Sequence, residues 1–110
     1  MPYYVCYGTS NITNNSTYGI MGTSTTNCDR TTMYTPQLNA TRGTLTRNGV
    51  GVASDSVRWH GVDRSVVQLW NRNAIVRTGT YTLRSTHEVV SGWNNNHSIY
   101  WHSEWTRTFK

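Results

Sequence analysis

The C-terminal part of the chain alternates between two kinds of side chain with a period of two. Between Thr80 and Val90, the mainly apolar set consists of Tyr81, Leu83, Ser85, His87 and Val89. Between Ser98 and Phe109, the corresponding set consists of Ile99, Trp101, Ser103, Trp105, Arg107 and Phe109. This period predicts β-strands, because successive side chains of a strand point to opposite faces. The polar, glycine-containing segment 91–97 predicts a loop between the two strands.

A single pairing register brings the apolar faces of these two strands together. On that face the register pairs Val89 with Ile99, His87 with Trp101, Ser85 with Ser103 and Leu83 with Trp105. On the other face it pairs Arg84 with Glu104, Thr82 with Thr106 and Thr80 with Thr108, all favourable cross-strand neighbours. A slip by one residue would put the faces out of phase. The sequence therefore predicts a hairpin of 80–90 with 98–109, with Trp101 and Trp105 in the core.

Weaker strand patterns fill the rest of the chain. Asn48-Gly49 is a strong hairpin signal between the apolar positions of 43–47 and 50–52. Further strand candidates are 3–7, 18–21, 31–34, 57–60, 65–70 and 75–78. The polar run 9–17 predicts either a loop or a weak edge strand, and Gly22–Asn27 and Pro36 interrupt the pattern. We expect one all-β domain over 1–110, a small antiparallel β-sandwich or flattened barrel of seven to nine short strands.

The composition supports strands over helices. Hydrophobic residues make up 35% and charged residues 14% of the 110-residue chain, and Thr, Ser and Asn supply most of its polarity. Threonine suits the pleat of a sheet, whereas the usual helix formers are scarce. Five Trp and seven Tyr offer the large apolar surfaces that a small core needs, which argues against a disordered chain.

The two cysteines, Cys6 and Cys28, predict a disulfide; the alternative is a pair of buried free thiols. The bridge would hold a segment that has few apolar side chains, and it indicates an oxidising, extracellular location. We see neither a signal-peptide pattern nor an apolar run that could span a membrane, so we expect a mature secreted or cell-surface domain. An intracellular origin is the alternative. Five Asn-x-Ser/Thr sequons match what chance gives in a chain this rich in Asn and Thr.

The formal net charge is +5, and every basic residue except Lys110 is an arginine. This charge suits an anionic partner such as an acidic glycan, a cell-wall polymer or a membrane surface. The alternative is that the arginines are ordinary strand-face charges. Because they are scattered and never form a run, we do not expect nucleic acid to be a specific partner.

The residues that usually carry catalysis form no recognisable constellation. Nothing in the spacing of the five carboxylates nominates an acid/base pair, and no Gly-x-Ser-x-Gly or phosphate-binding glycine motif occurs. His97 and His102 would lie on opposite strand faces, which disfavours a shared metal ion. We therefore expect no enzymatic activity, no metal site and no cofactor.

Aromatic residues in polar surroundings give the best candidate ligand contacts. Trp93 lies in the predicted polar loop beside Asn94 and Asn95, and Tyr100 and His102 share the polar face of the hairpin. Such rings can stack on a sugar while amides bind its hydroxyls; the alternative for Trp93 is packing over the end of the sandwich. The sequence favours a non-enzymatic domain that binds a glycan or cell-envelope polymer. The alternatives are a small bacteriocin-like toxin acting on anionic envelopes and a protease-inhibitor-like β protein.

Overall fold

A computed structural model describes residues 4–30, 36–73, 76–90 and 98–110 of the chain. Seven strands lie in this part: β1 (Tyr4–Asn15), β2 (Gly19–Arg30), β3 (Leu38–Arg47), β4 (Val50–His60), β5 (Arg64–Trp70), β6 (Gly79–Val90) and β7 (Ser98–Phe109). The residues described include no helix, and so none that is long and apolar enough to cross a membrane.

The strands form two antiparallel sheets that pack face to face. One sheet has the strand order β1-β2-β5 and the other has the order β4-β3-β6-β7. The chain passes from one sheet to the other between β4 and β5, where Gly61 adopts a φ of 68°. This confirms the predicted all-β antiparallel sandwich.

Both predicted hairpins are present. In β6 and β7 every predicted pair occurs, including His87 opposite Trp101 and Arg84 opposite Glu104. The β3–β4 hairpin turns at Asn48 and Gly49, whose φ values of 49° and 83° are those that a type I′ turn requires. Local alternation thus predicted the β6–β7 register, whereas the β3–β4 register shifts between Leu45 and Thr46.

The N-terminal third is more regular than the sequence predicted. The polar run 9–17 largely belongs to β1, which is an edge strand, and Gly22–Asn27 lies within β2 instead of interrupting it. Threonine suits an extended backbone, so the polar stretch continues the strand when a neighbour is available. The candidate strand 31–34 lies outside the described residues.

The prediction of a strand at 75–78 is wrong for residues 76–78, the part that the structure describes, because they are not in a strand. Arg77 instead reaches the β1–β2 turn. Its guanidinium donates to Asn14 Oδ1 at 2.5 Å, to the Asn15 carbonyl at 2.7 Å and to the Ser16 carbonyl at 3.1 Å. These three hydrogen bonds hold the segment as a connection between β5 and β6.

Cys6 and Cys28 form the predicted disulfide, joining two residues that face each other on β1 and β2. Their Cα atoms are 4.0 Å apart. Neighbouring strands come closest at pairs that do not hydrogen-bond to each other. Cys6 and Cys28 form such a pair, because the Cys28 N–H donates to the Asp63 carbonyl, just before β5, at 2.7 Å instead of to β1. The bridge is compatible with an oxidising extracellular environment.

The interior is apolar at one end of the sandwich and largely polar toward the other, where Cys28, Leu38 and Val89 are also buried. The apolar end is a cluster of six buried residues, Ile12, Ile20, Leu45, Leu69, Tyr81 and Leu83. Two glycines let the sheets approach closely near this cluster. A Cβ on Gly22 would lie 3.2 Å from Leu83, and one on Gly43 would lie 3.0 Å from Leu69.

At the polar end, hydroxyl groups from both sheets surround the buried side chain of His87. The imidazole Nδ1 lies 2.7 Å from Thr26 Oγ1, and Nε2 lies 2.8 Å from Ser103 Oγ. The Ser103 hydroxyl also lies 2.9 Å from that of Ser10, and the Thr26 hydroxyl lies 2.6 Å from that of Thr41. Further hydrogen bonds lead from Thr41 to Ser65 and from Ser65 to Asn39. We call this set the His87 network.

The prediction that Trp105 is a core residue is wrong, and that for Trp101 holds only in part. Trp105 is 48% exposed and Ile99 is 59% exposed, although both lie on the inward side of β7. β7 is the edge of a four-stranded sheet that faces a sheet of only three strands, so part of its inward side lacks cover. Trp101 is half-buried, because its ring stacks on His87 with centroids 5.3 Å apart.

We predict that replacing both cysteines by serine lowers the free energy of unfolding by roughly 3 kcal/mol, since the bridge spans 22 residues. Urea unfolding with and without a reductant measures this. Reductant should destabilise the parent to the level of the double variant and leave the variant unchanged. A double variant as stable as the oxidised parent would contradict the assigned role.

We predict that Gly8→Ala destabilises the protein by about 1–3 kcal/mol, the usual cost of overpacking a core. A Cβ at position 8 would lie well within 3.0 Å of three atoms of the His87 ring, which hydrogen bonds hold on both sides. Gly51→Ala is the matched control, because a Cβ there meets nothing within 4 Å. Equal stabilities of the two variants would show that His87 moves without cost.

Candidate ligand-binding face

The outward side of the four-stranded sheet carries three rows of polar side chains that cross all four strands. In the order β4, β3, β6, β7, the register gives Arg58–Ala40–Glu88–Tyr100, then Ser56–Arg42–Thr86–His102, then Ser54–Thr44–Arg84–Glu104. Apart from the half-buried Ala40, Thr86 and Glu88, these residues are exposed. We take this surface as the candidate site and call it the ligand-binding face.

Ion pairs occupy both outer rows of the ligand-binding face. Arg84 Nε donates to Glu104 Oε2 at 2.8 Å across β6 and β7. Arg58 Nη1 lies 3.5 Å from Glu88 Oε1, and it crosses the small side chain of Ala40 to reach that carboxylate. Exposed pairs of this kind contribute at most about 1 kcal/mol to stability. Their main effect here is to orient four charged side chains over the sheet.

Arg42 occupies the middle row and has no carboxylate within ion-pair distance among the residues that the structure describes. Three adjoining depressions of about 400, 300 and 220 Å³ meet at its side chain. Most of the residues that line them are polar or charged, and apolar atoms of the same residues share the lining surface. The depressions are therefore unlike the apolar clefts that enclose drug-sized ligands, and they suit a polar ligand lying on the surface.

Tyr100 and His102 form an aromatic pair at the β7 side of the ligand-binding face. Their ring centroids are 5.2 Å apart and their planes are nearly perpendicular, at 85°. Tyr100 is 56% exposed, and His102 Nδ1 lies 3.3 Å from Thr86 Oγ1. An exposed ring beside hydroxyls and charged groups offers both stacking and hydrogen bonding to a ligand.

His87 lies on the other side of the same sheet and is held neutral. Burial lowers the pKa of His87 below its ordinary value of 6.5, and the nearby charge of His102 lowers it further. A neutral imidazole can accept at one nitrogen and donate at the other, which the hydroxyls of Thr26 and Ser103 both allow. On the inward side of β6, burial thus favours the uncharged form of His87, whereas the charged side chains of β6 lie on its outward side.

The contact between Ser103 and His87 belongs to the buried His87 network. A catalytic Ser–His pair needs a third group that orients the imidazole, normally a carboxylate. Thr26 occupies that position, and the His87 side chain has no exposed surface. Within the described ranges, no three His, Cys, Asp or Glu side chains gather into a possible metal site.

The structure brings together two of the five predicted ligand contacts, Tyr100 and His102. The other three, Trp93, Asn94 and Asn95, lie outside the described residues. The sequence did not nominate Arg42 or Arg58. The Asn48-Gly49 turn alone would have placed Arg42 opposite Asp55, and the register shift between Leu45 and Thr46 places it opposite Ser56 instead. The pairing of β3 with β6 joins distant parts of the chain, and no local pattern predicts it.

We predict that the free energy of unfolding falls as the pH drops below about 6.5. The unfolded chain then binds a proton at position 87 that the folded protein resists, so stability is full above the ordinary histidine pKa and is lost below it. The slope reaches at most about 1.4 kcal/mol per pH unit for one group. Urea unfolding between pH 7.5 and 5.5 measures it.

His87→Gln should flatten this slope, whereas the exposed His60→Gln variant should keep it. Identical slopes in the parent and His87→Gln would show that another group causes the pH dependence.

No protein-family model, curated protein or solved structure matches this chain. The features of the molecule that bear on its function are therefore the geometry of the ligand-binding face and the bridge between Cys6 and Cys28.

Proposed function

We propose that this protein is a secreted or cell-surface, non-enzymatic domain that binds a glycan or cell-envelope polymer on its ligand-binding face. The observation that carries the proposal is the exposed Tyr100–His102 pair, which stands beside Arg42 and the two ion pairs on a rigid sheet. The arrangement combines an apolar ring with several hydrogen-bonding groups of fixed orientation.

Sugar chemistry matches this combination of groups. A pyranose presents a C–H face that packs on an aromatic ring and hydroxyls that bond in pairs to planar side chains. Tyr100 supplies the ring, and the guanidinium and carboxylate groups of the outer rows supply the planar partners. The depressions are open and adjoin one another, which favours a polymer laid across the strands over a small molecule enclosed in a cavity.

The extracellular part of the proposal draws on the disulfide. Bridges persist in oxidising compartments and are rare where thiols are kept reduced. The Cys6–Cys28 bridge ties together the two strands that contribute most of the threonine and asparagine in the N-terminal third. A secreted binding domain of this size uses such a bridge to offset a core that is partly polar.

We predict that the parent binds a subset of an immobilised glycan array and that Tyr100→Ala weakens this binding roughly tenfold. Loss of about 1.4 kcal/mol of stacking corresponds to that factor. Tyr18→Ala is the matched control, because Tyr18 is also an exposed tyrosine, 48% accessible, but lies beyond the end of β1. The control should bind like the parent.

Absence of binding to every glycan and cell-wall preparation tested would overturn the proposal. Inhibition of bacterial growth without glycan binding would favour the toxin, and inhibition of a protease would favour the inhibitor. Equal losses in Tyr100→Ala and Tyr18→Ala would place the site elsewhere on the molecule.

A further inference from the structure

We propose that the ligand is an acidic glycan and that Arg42 binds the carboxylate of one of its sugars. This inference rests on the proposed function and narrows it to a chemical class. Its basis is the distribution of charge over the ligand-binding face.

The three rows contain three arginines and two glutamates, and the glutamates are already engaged. Glu104 accepts from Arg84, and Glu88 pairs with Arg58. Arg42 stands between these pairs and keeps its positive charge without a carboxylate partner in the described part of the chain. Asp55, the next acid along β4, belongs to the opposite side of the sheet, since it pairs with the inward-facing Gly43, and it accepts from the Ser56 N–H at 2.8 Å.

The surroundings of Arg42 suit an anion with hydroxyl groups. Ser56 and Thr86 flank it in the middle row, and all three depressions on this face include it in their walls. His102 ends the same row and offers its ring nitrogens for hydrogen bonds. A bound acid would therefore find its counter-ion and hydroxyl donors along one line across the sheet.

The spacing allows one sugar to reach both Arg42 and the aromatic pair. Arg42 on β3 and Tyr100 on β7 lie two strands and one row apart, which is about 12 Å at the usual strand spacing and rise per residue. An extended arginine side chain and a pyranose ring together fill such a gap. The sugar can then stack on Tyr100 while its carboxylate meets the guanidinium.

A carboxylate fits better than a polyphosphate. The planar guanidinium pairs with a carboxylate through two parallel hydrogen bonds. Phosphate polymers instead gain affinity from many basic contacts. On this face Arg58 and Arg84 are already neutralised, so only one cation is left. A single carboxylate, as in a uronic or sialic acid, matches that count.

The experiment compares matched acidic and neutral probes by titration calorimetry. One pair is an oligogalacturonate and its methyl ester, and the other is sialyllactose and lactose. We predict that, in at least one pair, the parent binds the acid at least tenfold more tightly than the neutral partner. Arg42→Ala should abolish this preference, and Arg42→Lys should restore little of it because it loses the bidentate geometry.

The control is Arg72→Ala, which removes the same charge from an exposed connection outside the strands. It should keep the preference for the acid. Equal affinity for acid and neutral partner, or binding confined to other neutral glycans, would overturn the acidic-ligand inference and leave the proposed function standing. If Arg42→Ala and Arg72→Ala lost the preference for the acid equally, the preference would come from net charge alone, and the inference about Arg42 would be overturned. If no glycan binds, the proposed function itself fails.

Discussion

The hydrogen bonds around His87 determine how the two sheets of this sandwich can meet. Its two ring nitrogens join Thr26 of one sheet to Ser103 of the other, at 2.7 and 2.8 Å. Buried polar groups are costly when unpaired, so the network tolerates little sliding of one sheet on the other. Residues without large side chains, such as Gly8 and Ser10, line the space around the imidazole. In this half of the interior, specific hydrogen bonds act together with the Trp101 ring that stacks on His87.

The same strands that hold this network also carry the ligand-binding face. Along β6, Ser85 and His87 point inward, whereas Arg84, Thr86 and Glu88 point outward. A slip of one residue would exchange the two sets and bury charges, so the interior enforces the order of the rows outside. The face is therefore as well fixed as the core, although its own ion pairs are weak. This coupling gives the exposed side chains of the proposed site a fixed order across the sheet.

Structural features that depend on segments close together in the sequence could be predicted. The C-terminal hairpin and the Asn48-Gly49 turn follow from alternation and turn chemistry, and the disulfide pairs the only two cysteines. Features that depend on distant segments were not predictable. The pairing of β3 with β6 creates the rows through Arg42. These two strands are separated in the chain by β4 and β5. The exposure of Trp105 likewise depends on one sheet having four strands and the other three, a difference that alternation does not reveal.

The most direct test of the account is to map a bound glycan by the amide chemical shifts of the ¹⁵N-labelled protein. The glycan that binds best on the array would be titrated in. We expect the largest shifts on β3, β6 and β7, centred on Arg42, Thr86 and Tyr100. Shifts centred on the three-stranded sheet or on the Tyr18–Trp70 pair, with none around Arg42, would contradict the account.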